Sequence, residues 1–117
     1  MYEVKIYKDK NGKSEIKEYL QHLAERQIKD NRIRFNKISA YIELLSKNGL
    51  KLNEIYIKKI DKELWELRPI RDRIIFAVDN NKGFVLLSIF MKQTRKTPRS
   101  EIEKARRFLE DYKKRSG

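Results

Sequence analysis

Between Leu64 and Lys92 the apolar side chains recur at every second position, whereas on both sides of that stretch they recur at intervals of three and four. A period of two belongs to strands and a period near 3.6 to helices, so the chain must combine a sheet with flanking helices. The strands follow one another directly: Leu64 to Arg68, Arg73 to Val78 and Phe84 to Lys92, joined by Pro69 to Asp72 and by the turn-forming run Asp79 to Gly83. Short connections of this kind can only make antiparallel neighbours, a meander. Tyr2, Val4 and Ile6 alternate with Glu3, Lys5 and Tyr7, which adds an N-terminal strand.

The helical stretches carry their own punctuation. Lys10 to Lys13 turns the chain, and Ser14 caps a first helix whose stripe is Ile16, Tyr19, Leu20, Leu23, Ala24 and Ile28. Asp30 or Asn31 caps a second helix with Phe35, Ile38, Tyr41, Ile42 and Leu45 on one face, and Asn48-Gly49 stops it. Residues 50 to 62 have weak periodicity, with Ile55 to Ile57 a possible strand start. Thr97 caps a last helix with Pro98 at its first position, and its stripe is Ile102, Ala105, Phe108, Leu109 and Tyr112. The order predicts one α+β domain over residues 1–117: a small antiparallel sheet of the N-terminal strand and the meander, an N-terminal helical hairpin and a C-terminal helix, with the helices on one sheet face.

Composition narrows the function. The 117 residues include no cysteine, which excludes disulfides, thiolate nucleophiles and Cys-ligated metal centres. The longest uncharged stretch, Gly83 to Met91, has nine residues, well short of the ~20 a membrane span needs. With no secretion signal at the start, the expected setting is cytoplasmic, without membrane contact. The net charge is +12, and residues 81–117 hold eleven Lys and Arg against four Asp and Glu. Clustered cations bind nucleic acid through counterion release, and the run Lys92 to Arg99, with Arg95, Lys96 and Arg99, is a phosphate-contacting patch in this reading.

Pairing along the meander locates the rest of the patch. An even connection at Pro69 to Asp72 sets Leu67 opposite Ile74 and Arg68 opposite Arg73. Like charges directly opposed across strands are destabilising unless an anion binds there. An even loop within Asp79 to Gly83 puts Arg73 on one face with Glu66, Ser88, Phe90 and Lys92, together with Leu64, Ile75, Ala77, Phe84 and Leu86; an odd loop with a bulge would flip that strand. The opposite face collects Trp65, Leu67, Ile74, Phe76, Val78, Val85, Leu87, Ile89 and Met91 as core. Ordinary surface pairing, Glu66 with Arg68 or Arg73 and Asp72 with Arg71, is the plain alternative. The one histidine, His22, falls on the polar side of the first helix.

The blocks Leu64 to Arg68, Arg71 to Val78, Leu86 to Pro98 and Glu101 to Ala105 together resemble the RelE/ParE toxin superfamily, closest to its phage-derived, HigB-like branch. The likeness extends more loosely over the whole chain. It implies a RelE-like fold and a type II toxin that cleaves mRNA, often on the ribosome, and is held silent by a cognate antitoxin. The expected partner is a small helix-turn-helix protein with an acidic segment. The family's usual paired lysines read Lys92-Gln93 here, so Arg95 or Lys96 must serve as the second.

With no metal or cofactor expected, the accessible chemistry is attack of a ribose 2′-OH on its adjacent phosphate. That reaction needs a base, cations for the phosphorane and an acid for the leaving oxygen. Arg68 and Arg73 suit the phosphorane, with Arg71, Arg95 and Arg99 on the RNA backbone. A carboxylate among arginines is a weak proton acceptor, whereas a lysine among cations releases its proton more readily. Lys92 or Lys96 is therefore the expected proton-transfer group, with Glu66 orienting an arginine or the 2′-OH. Phe90 can stack on a base, while Trp65 is packing. Two other classes fit the sequence: a non-enzymatic ParE-like gyrase-inhibiting toxin, and a basic RNA-binding module.

Overall fold

A computed structural model describes residues 1–80 and 82–116. Strand β1 (Glu3–Ile6) leads through a turn at Gly12, φ 80°, into helix α1 (Glu15–Glu25), which Ser14 caps by accepting the Lys17 N–H at 3.2 Å. Helix α2 is Lys29–Asn48. Its N-cap position is Ile28, with no side-chain cap, so neither Asp30 nor Asn31 caps it. It ends at Gly49, whose φ of 61° suits glycine. Strands β2 (Ile57–Asp61), β3 (Leu64–Leu67), β4 (Asp72–Asp79) and β5 (Gly83–Met91) follow, then helix α3 (Arg99–Ser116).

The five strands form one sheet in the order β1-β5-β4-β3-β2. Four run antiparallel, but β1 joins the β5 edge in parallel, Val4 opposite Phe84. Residues 57–61, left open by their weak pattern, are the other edge strand, and Lys58 and Lys59 keep that edge charged.

The helices cover both faces of the sheet, not one. On the first, α1 and α2 bury Ile16, Leu23, Ile38 and Leu45 against Ile57, Leu67, Ile74, Phe76, Phe84, Leu86 and Ile89. On the second, α3 buries Ile102, Ala105 and Leu109 against Leu64, Ile75, Ala77, Val85 and Leu87. Each fully buried aliphatic side chain contributes ~1.5–3 kcal/mol. Helix α3 is pinned at two further points, where Tyr7 donates to Asp111 at 2.6 Å and Tyr112 donates to Asp79 at 2.9 Å.

Strand β5 corrects the expected faces. Asp79 pairs with Gly83, an odd connection, and the register then shifts between Ile75↔Ser88 and Phe76↔Leu86. Leu87 is the extra residue of a bulge, so Leu87 and Ser88 both face α3. Before the bulge the phase is reversed: Phe84 and Leu86 face the helical hairpin, and Val85 and Leu87 face α3. After it the expected phase returns, with Arg73 opposite Phe90. Val78 and Met91, expected in the core, are 39% and 40% exposed.

Candidate nucleic-acid interface

The connection between β3 and β4 holds the site. Leu67 pairs with Ile74, as the even connection requires, and this is the last β3–β4 pair, with Arg68 and Arg73 just beyond it on either side of the connection. The two arginines are held close by Glu66, whose Oε1 lies 3.8 Å from Arg68 Nε and 3.7 Å from Arg73 Nε. Glu66 is buried, and its Oε2 accepts a hydrogen bond from the Thr97 hydroxyl at 2.5 Å. Arg73 is buried too and donates through Nη1 to the carbonyls of Ile70, at 3.0 Å, and Asp72, at 2.8 Å. Burial pulls its guanidinium below the ordinary arginine range; Glu66 opposes that shift and Arg68 adds to it. It remains a cation at neutral pH. The Arg68 guanidinium is half-buried and donates to the Glu54 carbonyl at 3.0 Å.

The cluster opens onto a groove of about 740 Å³ between β2, the end of β3 and the segment before α3. Six cations line it, Lys58, Lys59, Arg68, Arg95, Lys96 and Arg99, against the single inward carboxylate of Glu66. Such an excess in a concave site attracts a polyanion. Lys59 Nζ sits 5.9 Å from the centre of the Trp65 ring, a cation–π contact on the face where Trp65 packs toward the helical hairpin. Among the described residues no group of three or more His, Asp or Glu side chains is placed to hold a metal ion, and no helix is long and apolar enough to cross a membrane.

The family model described as phage derived protein Gp49-like matches residues 18–110, about four-fifths of the chain and all of the groove. The chain belongs to the Gp49-like family. That family is related to the RelE- and HigB-like toxins, and membership is consistent with a toxin of a toxin–antitoxin pair, which implies an antitoxin partner in general. No curated protein matches the chain.

In this Gp49-like protein the expected residues divide into three groups. Glu66, Arg68, Arg95, Lys96 and Arg99 meet in the groove, and Arg73 stands behind Arg68. Lys92 lies one residue beyond β5, its N–H donating to the Arg71 carbonyl at 2.7 Å. Strand alternation places it on the face of Phe90 and Arg73, though it does not line the groove. Arg71 and Phe90 are elsewhere engaged: Arg71 pairs with Asp30 of α2, and Phe90 is half-buried against the α3 cluster. Asp72 does not pair with Arg71. It is fully buried and accepts from Arg34 Nε at 3.1 Å, Arg34 Nη2 at 2.8 Å and the Tyr19 hydroxyl at 2.5 Å.

Three participants escaped the sequence. Lys58 and Lys59 belong to a strand whose pattern is too weak to fix its faces. Thr97 has its hydroxyl on Glu66, and Pro98 supplies the carbonyl that accepts the Ile102 N–H, so the helix cap sits one residue later than expected. The doublet Lys58-Lys59 two residues before an acidic turn was the available signal for a charged sheet edge.

Proposed function

We propose that this protein is a HigB-like mRNA interferase, a cytoplasmic endoribonuclease that cleaves RNA, with ribosome-associated mRNA as its substrate, and is neutralised by a cognate antitoxin. The observation that carries the reading is the Glu66–Arg68–Arg73 cluster opening onto a groove of six cations. In this reading the scissile phosphate rests on Arg68, the exposed member of the pair. Arg73, locked by two backbone carbonyls, supplies a second fixed positive charge behind it as the phosphorane forms. Glu66 sets the angle of both guanidiniums, and Thr97 in turn holds Glu66.

Proton transfer falls to Lys96, which the groove presents, and to Lys92 at the end of β5. Arg95, Arg99, Lys58 and Lys59 hold the flanking backbone. An acidic antitoxin segment occupying the same groove silences the enzyme by competition.

Purified protein incubated with mRNA, alone and in a translating extract, tests this. Cleavage in at least one setting, abolished by the antitoxin, is the expected result. RNA left intact in both settings overturns it, and concurrent inhibition of gyrase would favour the ParE-like alternative.

A further inference from the structure

Beside the groove lies a second, smaller recess, about 480 Å³. Tyr41 of α2, Ile55 and Ile70 give it apolar walls, and Arg68 and Arg73 form its inner edge. Arg68 lines both cavities. Two of the apolar residues stand out in solvent, Ile55 at 71% exposure and Ile70 at 55%. Ile70 is also held at φ 53°, in a turn closed by the Asp72 N–H on the Pro69 carbonyl at 3.0 Å. That position suits glycine or asparagine, and a β-branched residue there is strained. Its carbonyl fixes Arg73, which any residue's carbonyl could do, so nothing in the folding of the turn calls for an isoleucine side chain. Strain kept at an exposed apolar residue beside two guanidiniums points to a ligand.

We propose that this recess is a nucleobase subsite: with the scissile phosphate on Arg68, the base of an adjoining nucleotide lies against Ile55 and Ile70, over Tyr41. The proposal rests on the nuclease reading and names the part of the substrate bound there. A nucleotide joins a phosphate to an apolar, flat-faced base across one ribose, so its site needs a cation directly adjoining an apolar wall. Arg68 supplies that junction because it belongs to both cavities.

The test uses 2′-O-methyl RNA oligonucleotides, which bind without being cleaved, in a set with one abasic position moved along the strand. Fluorescence anisotropy on the parent protein should find one position where loss of the base weakens binding about tenfold or more. Ile70→Gly relieves the backbone strain, so it should unfold no earlier than the parent, yet bring that ratio close to one. Ile55→Ser should do the same, while Arg68→Ala weakens binding to every oligonucleotide in the set. A parent indifferent to every abasic position, or a ratio unchanged in both isoleucine variants, overturns the subsite and assigns the exposed isoleucines to a protein partner. If the parent binds none of the oligonucleotides, the subsite falls, while the nuclease reading is decided separately by cleavage in the translating extract.

Discussion

Replacing Asp72 by Asn keeps the shape of a fully buried side chain and removes its charge. Arg34, only 11% exposed, then loses its anion. An amide has one oxygen to offer, whereas Asp72 accepts from three donors, Arg34 Nε, Arg34 Nη2 and the Tyr19 hydroxyl. At least one Arg34 N–H or the Tyr19 O–H must face an amide N–H instead. Breaking a buried ion pair by removing one partner costs about 3–5 kcal/mol. The slight exposure of Arg34 allows some rehydration and favours the lower end, about 3 kcal/mol. Against a typical total of about 5–15 kcal/mol this is a large share. With a urea dependence of about 1–3 kcal/mol per molar, the midpoint of equilibrium unfolding at neutral pH should fall by about 1–3 M. In an Arg34→Met background the same substitution should cost much less, because no buried cation is left behind. A loss below about 1 kcal/mol in the parent, or an equal loss in both backgrounds, would refute the pairing as the clamp between α2 and β4.

Three further outcomes follow from particular contacts. Burial, then the bond to Asp72, raises the Tyr19 hydroxyl well above its ordinary pKa, so its contribution is complete below pH ~10 and falls as pH rises above it; Tyr19→Phe should flatten the alkaline limb of a stability–pH curve. A Cβ at Gly49 would stand 2.6 Å from the Tyr2 ring on a backbone at φ 61°, so Gly49→Ala should destabilise by about 1–3 kcal/mol in a thermal melt. If Lys59 and Arg95 each hold a phosphate, alanine at either should reduce the slope of log affinity against log salt for single-stranded RNA by about 0.7.

The helices were legible from their stripes, Ile16 and Leu23 on α1, Ile38 and Leu45 on α2, Ile102, Ala105 and Leu109 on α3, although Ala24 and Ile28, expected on the first stripe, are exposed and Ile28 lies beyond α1. The pairing of Leu67 with Ile74, which brings Arg68 and Arg73 to the same end of the sheet, was legible too, since the connection length sets it. The faces of Phe84 to Leu87 were not, because a bulge at Leu87 adds one residue and leaves no mark on the hydrophobic pattern. Nor was the parallel pairing of β1, which joins a strand some eighty residues away. The Asp72–Arg34 pair spans 38 positions, and from sequence Asp72 had a nearer cation in Arg71. Distance along the chain hid the β1 pairing and the Asp72–Arg34 pair, while a local bulge and a weakly patterned edge strand hid the rest.

The central claim is that the arginine cluster promotes attack of a ribose 2′-OH on the phosphate held by Arg68. Its most direct test is end analysis of RNA fragments made by the purified protein, with and without a 2′-deoxy residue at the cleaved position and with Arg68→Ala alongside. The account predicts 2′,3′-cyclic phosphate and 5′-hydroxyl ends, no cleavage at the deoxy position, and a rate about a hundredfold or more lower for a folded Arg68→Ala protein. Fragments ending in 5′-phosphate, cleavage that ignores the 2′-deoxy residue, or an undiminished rate in Arg68→Ala would contradict it.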